Sequence, residues 1–182
     1  MRVAGLLRGI NIGPQKRIAM PALREIVASL GHTDVETYLQ SGNVVFTPGP
    51  GAPADLAAHI EHAIADATGH DVPVLVRTGK ELARVAGSSP YAVDDPTKLV
   101  VMFLGEAIEL GDLSLGDLGT YLPDELTLAG RELYVSLPNR QAGSKLMEAL
   151  TKRRLPTTAT VRNWRTVTAL ADLTSDEHEG RG

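Results

Sequence analysis

The strongest constraint on this chain is an order of elements that it spells twice: strand, helix, strand, strand, helix, strand. In the first run, residues 3–10 are dense in Val, Leu and Ile and stop at the turn formers Asn11-Ile12-Gly13-Pro14. A helix is expected from Pro21, since proline suits a first helical turn, with Leu23, Ile26, Val27 and Leu30 on one face and Gly31 as its stop. Residues 35–40 and 43–47 read as strands paired through a tight connection at Ser41-Gly42. The proline- and glycine-rich run at 48–53 cannot hold regular structure and is a loop. Residues 55–68 then read as an alanine-rich helix with Leu56, Ile60, Ala63, Ile64 and Ala67 inward, 72–76 as a strand, and 80–86 as a short helix. Six elements in this order make the split βαβ arrangement of a ferredoxin-like domain.

The second run begins after 88–97, where two prolines and small polar residues interrupt every period and read as a linker. Residues 99–104 are a buried-strand run, whereas 106–122 are glycine-rich and acidic, with room for only a short helix. Residues 126–128 and 133–135 flank Ala129-Gly130-Arg131 as a second hairpin. Ser144 caps a helix reaching Lys152 with Leu146, Met147 and Leu150 inward, 158–161 form a threonine-rich strand, and 163–173 form the last helix. The ten residues from Val76 align without a gap on the ten from Val161, matching a Val-Arg pair and two apolar positions, as a duplication would leave them. The expected fold is α+β: a ferredoxin-like βαββαβ lobe at 1–87, the linker at 88–97, a second, smaller α+β lobe of similar element order at 98–174, and a polar tail at 175–182.

Composition narrows the function classes. Hydrophobic residues make up 43% of 182, enough for a core without staples, and there is no cysteine, which removes thiol nucleophiles, thiolate metal sites and disulfides together. No apolar run approaches the length of a membrane span, and the one at the start is cut by Arg8, so the chain reads as cytoplasmic with no membrane partner. A net charge of -4 disfavours coating of nucleic acid, and aromatics at 4% are too sparse for the stacking platforms of paired RNA-reading domains. Walker, Gly-x-Ser-x-Gly and His-Glu-x-x-His motifs are missing, so no catalytic residue is assigned; a small enzyme using an Asp or Glu stays open. His59 and His62 lie a turn apart without a third ligand at metal spacing, so no metal and no cofactor are expected.

Four stretches carry a family resemblance. They are Ala4-Gly-Leu-Leu-Arg-Gly-Ile-Asn-Ile-Gly13, Tyr38-Leu-Gln-Ser-Gly-Asn-Val-Val-Phe46, Gly143-Ser-Lys-Leu146 and Arg162-Asn-Trp-Arg-Thr-Val167. In this order they resemble the signatures of a bacterial family known as domain of unknown function sixteen-ninety-seven. The resemblance implies two α+β lobes, the first ferredoxin-like, and no established activity. Two departures from the family pattern are Ile12-Gly13-Pro14 in place of Val-Gly-Gly and Arg165 in place of Asn.

Candidate ligand residues follow from position. Arg77 and Arg162 are each expected between a strand and a helix, where backbone N–H groups and a guanidinium can converge on an anion; bracing of the lobes through a carboxylate such as Asp94 or Asp95 is the competing reading. Asn163 and Trp164 adjoin Arg162, with the tryptophan either covering a ligand or lying in the core. Lys145 belongs to a basic stretch, 145–165, whose one acid is Glu148. Arg8 and Asn11 end the first strand, while Ser41 and Asn43 form the hairpin tip, either as ligand contacts or as turn chemistry. These two pairs are expected at opposite ends of the sheet. The reading that results is a binding protein for a small anionic ligand in the cleft between the lobes, using Arg77, Arg162 and Lys145. A nucleic-acid-binding module is the alternative, and both a monomer and an edge-paired homodimer fit the sequence.

Overall fold

The computed structural model describes residues 1–52 and 54–175. Pro53 of the expected loop and residues 176–182 of the expected polar tail lie outside the described residues. The chain divides into two compact units, one made of Met1–Arg84 with the segment from Ala169 on, the other of Val85–Thr168.

The first unit carries β1 (Val3–Leu7), α1 (Met20–Ser29), β2 (Thr33–Thr37), β3 (Asn43–Thr47), α2 (Leu56–Thr68) and β4 (Val74–Thr78), and its sheet has the antiparallel order β2-β3-β1-β4. This is the ferredoxin-like arrangement that the element order implies. Every residue of β1 is buried, so the strand reads as an unbroken apolar run and not as an alternation. Leu7, Val44 and Phe46 from the sheet meet Leu23 and Val27 of α1 and Ile60 and Ile64 of α2 in one core. The turn-by-turn spacing of those helical residues is what carries them to one face. Asp55 caps α2 by accepting from the Ala58 N–H at 3.0 Å, and Gly69 closes it in the left-handed region.

The second strand departs from the sequence reading. β2 begins at Thr33 and ends at Thr37, with a register shift between Thr33 and Glu36 and Asp34 at φ 51°. Such a bulge breaks the alternation that a strand is recognised by. Beneath it, His32 is 4% exposed, stacks on Phe46 with ring centroids 4.6 Å apart, and accepts from the Gly49 N–H at 3.2 Å through Nδ1. Arg2, also buried, donates to the Leu173 carbonyl at 2.8 Å and the Asp34 carbonyl at 2.9 Å, and pairs with the Glu36 carboxylate.

After α3 (Gly79–Gly87), the second unit builds β5 (Leu99–Leu104), β6 (Glu125–Ala129), β7 (Glu132–Ser136), α4 (Lys145–Lys152) and β8 (Ala159–Asn163), followed by α5 (Trp164–Leu173). Its sheet order, β6-β7-β5-β8, repeats that of the first with every neighbour antiparallel. Val100, Met102 and Leu104 of β5 share a core with Leu133 of β7 and Leu146 and Leu150 of α4. Ser144 caps α4, its hydroxyl accepting from the Met147 N–H at 3.0 Å. Residues 106–122 form no α-helix, only the 3₁₀ turns Leu110–Leu113 and Leu118–Tyr121. No helix among the described residues is long and apolar enough to cross a membrane.

Candidate functional site

Two stretches expected apart lie side by side. β3 runs antiparallel to β1 with Leu6 opposite Asn43, so the residue that opens β3 sits beside the end of β1. The Leu7 N–H donates to the Gly42 carbonyl at 2.8 Å, and the Arg8 N–H donates to the Pro73 carbonyl at 2.9 Å. Three connections therefore gather at one end of the sheet: the loop after β1, the loop between β2 and β3, and the approach to β4. The expectation of opposite ends is corrected by this register, because β2 lies parallel to β1 and its hairpin must turn where β1 stops.

Asn11 sews the first two connections together. Its Nδ2 donates to the Ile18 carbonyl at 3.0 Å and the Gln40 carbonyl at 2.9 Å, while Oδ1 accepts from the Ile18 N–H at 3.0 Å. Asn43 is wholly buried, donating to the Tyr38 carbonyl at 2.8 Å and to Ser41 Oγ at 3.2 Å. Both asparagines thus hold backbone in place, and only Ser41 of this turn offers an exposed hydroxyl. Gly42 fits for two reasons: its φ is 86°, and a Cβ there would lie 2.9 Å from Leu7 Cβ and from Ile10. The connection spans 38–42, longer than the two-residue turn expected, and places Leu39 at φ 58°. Lys16 at φ 52° and Asn11 at φ 56° share this left-handed conformation, which costs side-chain-bearing residues about 1–2 kcal/mol each.

Cations crown these loops. Arg8 and Arg17 are exposed, and the Arg8 guanidinium has neither hydrogen bond nor ion pair among the described residues. Arg17 Nε donates to the Gly13 carbonyl at 3.3 Å, and Lys16 Nζ donates to the Asp71 carbonyl at 2.7 Å. Residues 1–24 hold no acid, and Asp71 is the sole carboxylate on the three connections. Lys16 and Arg17 are adjacent in the sequence but were not among the candidate ligand residues.

Arg77 and Arg162 are placed differently from the sequence reading. Arg77 lies within β4 opposite Ala4 and Arg162 within β8 opposite Val101, at 1% and 6% exposure, so neither side chain opens a helix. Both are engaged: Arg77 donates to the Val76 carbonyl at 3.1 Å, Arg162 to Thr160 Oγ1 and the Val161 carbonyl at 2.8 Å, and each has further partners. Burial pulls the Arg162 pKa down to about 10, leaving it charged at neutral pH. The helix starts are occupied as well. Glu81 accepts from the Thr78 N–H at 2.8 Å at the start of α3, and Asn163 accepts from the Thr166 N–H at 2.8 Å at the start of α5. Trp164 is 7% exposed, while Lys145 stands exposed at the first residue of α4. His62 bonds the Ala58 carbonyl at 2.7 Å, and no group of three His, Asp or Glu among the described residues is arranged to hold a metal.

The family model described as "Protein of unknown function (DUF1697)" matches residues 1–134, well over half of the chain. The chain belongs to this family. A solved structure similar to this DUF1697 protein is that of SP0830, a conserved bacterial protein from Streptococcus pneumoniae. It is 20% identical and superposes with a TM-score of 0.77 over 95% of this chain and 97% of that one. At that identity the likeness concerns the fold, which both chains share through two lobes of similar element order. No curated protein matches the chain.

Proposed function

We propose that this protein binds a small anionic ligand on the loops that close β1 and join β2 to β3. The observation that carries the reading is the Asn11 clamp: one side chain fixes two loops to each other while Arg8 and Arg17 stand exposed on them. Loops whose backbone is already fixed lose little freedom when a carboxylate or phosphate docks on the arginines they carry, and guanidinium geometry suits both anions. Backbone held in the left-handed region at three side-chain-bearing positions of the same loops is a second support, because such strain concentrates at binding sites. Ser41 adds a hydroxyl at the rim.

Titration of the ¹⁵N-labelled full chain with inorganic phosphate and with citrate tests this. The expected result is saturable, one-to-one shifts of the amides of 8–13, 15–17 and 39–42, weakened about three- to tenfold by Arg8→Ala and by Arg17→Ala. Shifts confined to other residues, or none, overturn the reading. Binding limited to oligonucleotides and lost steeply with salt would move the protein to the nucleic-acid class.

A further inference from the structure

A separate cavity of about 330 Å³ lies wholly within the second unit, between the 3₁₀ turn Leu118–Tyr121, β6 and α4. That volume is at the small end of the range for small-molecule sites. Its walls are Leu118, Leu122, Leu126 and Leu146 together with the rings of Tyr91 and Tyr121, and its ionisable carboxylates are Asp124 and Glu125, with no basic residue in the lining. Asp124 is the unusual member. It is 8% exposed, its Oδ2 accepts from the Ser144 hydroxyl at 2.7 Å, and no Lys, Arg or His of the described residues forms an ion pair with it. A carboxylate taken out of water without a countercharge favours any cation that can reach it. Glu125 stands exposed beside it.

The aromatic rings point to the same ligand charge, since tyrosine faces attract cations through their quadrupole. Tyr91 is anchored for this by a 3.0 Å hydrogen bond between its hydroxyl and Thr127 Oγ1. Burial pushes the Tyr91 pKa up, the Thr127 bond opposes the rise, and the negative charge of Glu125 adds to it, so the hydroxyl stays neutral beside the carboxylates.

We infer that this cavity is a binding site for a compact organic amine, its ammonium on Asp124 and its apolar body against the leucines and tyrosines. The site is distinct in place and in charge preference from the loops proposed to take an anion. The class is set by the lining: an anion would meet two carboxylates, and a purely apolar molecule would leave Asp124 without a countercharge.

Three probes of one shape and different charge test it on the full chain: 2-phenylethylamine, 2-phenylethanol and 3-phenylpropanoate, each titrated while ¹⁵N amide shifts and heats of binding are recorded. The amine is expected to bind one to one, at least about tenfold more tightly than the alcohol, with shifts at Gly119, Leu126 and Thr127. Asp124→Asn should erase that preference. Leu118→Lys, at a position 36% exposed and therefore tolerant of substitution, should abolish amine binding by placing an ammonium in the cavity even if the Asp124 variant folds poorly. Equal binding of all three probes, tighter binding of the anion, amine binding unchanged in Leu118→Lys, or no binding of the amine would each overturn the assignment.

Discussion

The two sheets share one strand order, yet the chain covers them by different means. In the first unit the crossover from β1 to β2 contains α1, whose Leu23 and Val27 are fully buried and which packs on β2 and α2. In the second, the crossover from β5 to β6 makes two 3₁₀ turns of four residues each and buries Leu113 and Leu115. The cause is visible in composition: Gly111, Gly116 and Gly119 interrupt the second crossover, each costing a helix about 1 kcal/mol relative to alanine, whereas the residues of α1 include no glycine. Short 3₁₀ turns cannot lay a continuous apolar stripe across a sheet. The amine cavity against β6 occupies the place in the topology where α1 covers β2. Strand order therefore survives the loss of a helix, and the space the helix leaves becomes available for a ligand.

Four experiments can break or sharpen this contrast. The largest effect is expected from Leu23→Ala, which opens a void under a rigid helix and should cost about 3–5 kcal/mol in urea denaturation; Leu113→Ala, on a turn free to settle, should cost about 2–3 kcal/mol. Equal losses would mean that the two crossovers are packed alike. Next come the hairpin glycines. Gly42→Ala must adopt φ 86° and collide with Leu7 and Ile10, for a loss of about 2–4 kcal/mol, while Gly130→Ala, at φ 66° in open space, should lose only the conformational cost of about 1–2 kcal/mol.

The helix caps differ in sign. Ser144→Ala removes both the cap of α4 and the hydroxyl donated to buried Asp124 and should destabilise by about 2–3 kcal/mol, whereas α1 starts at Ala19 without a side-chain cap, so Ala19→Asp should stabilise by about 0.5–1 kcal/mol. A loss on Ala19→Asp in thermal melts would show that the start of α1 is already satisfied. The smallest effect is a pH dependence confined to the first unit. Burial, and secondarily the nearby His59, hold the His32 pKa below its ordinary 6.5, so the folded state releases a proton that the unfolded chain keeps. Stability should fall as pH drops below about 6.5 and level off below the folded value; His32→Leu should flatten that slope in urea titrations between pH 7.5 and 5. An unchanged slope would assign the acid sensitivity elsewhere.

The fold was largely legible. Residues 43–47, 99–104 and the helix after Ser144 are bounded in the structure as the sequence predicts, because a dense apolar run or a capping hydroxyl marks each edge. β2 was not, since its bulge at Asp34 hides the period. The site was less legible. That Arg8 and Asn11 meet Ser41 and Asn43 follows from strand direction, which the ferredoxin-like order already implies by setting β2 parallel to β1; the expectation of opposite ends misread that order. Arg77 and Arg162 were expected in the connections after their strands, because an arginine that ends an apolar run reads as the edge of a strand; β4 and β8 in fact run on to Thr78 and Asn163 with both arginines buried. The cavity was hidden in the same way: Leu118, Leu122 and Asp124 belong to a stretch whose acids and glycines look like loop.

The hydrogen bond from Arg2 to the Leu173 carbonyl joins residues 171 positions apart. In time, this contact comes late. On the ribosome, every strand of both sheets has been synthesised before residue 173 emerges, and the second unit, encoded between the two parts of the first, has been synthesised while the Arg2 guanidinium, already able to reach Asp34 and Glu36, still lacks its third acceptor. The first sheet, whose four strands lie within residues 3–78, can thus form early, but the unit that contains it closes only when the segment after residue 168 arrives, so the unit begun first is the one completed last.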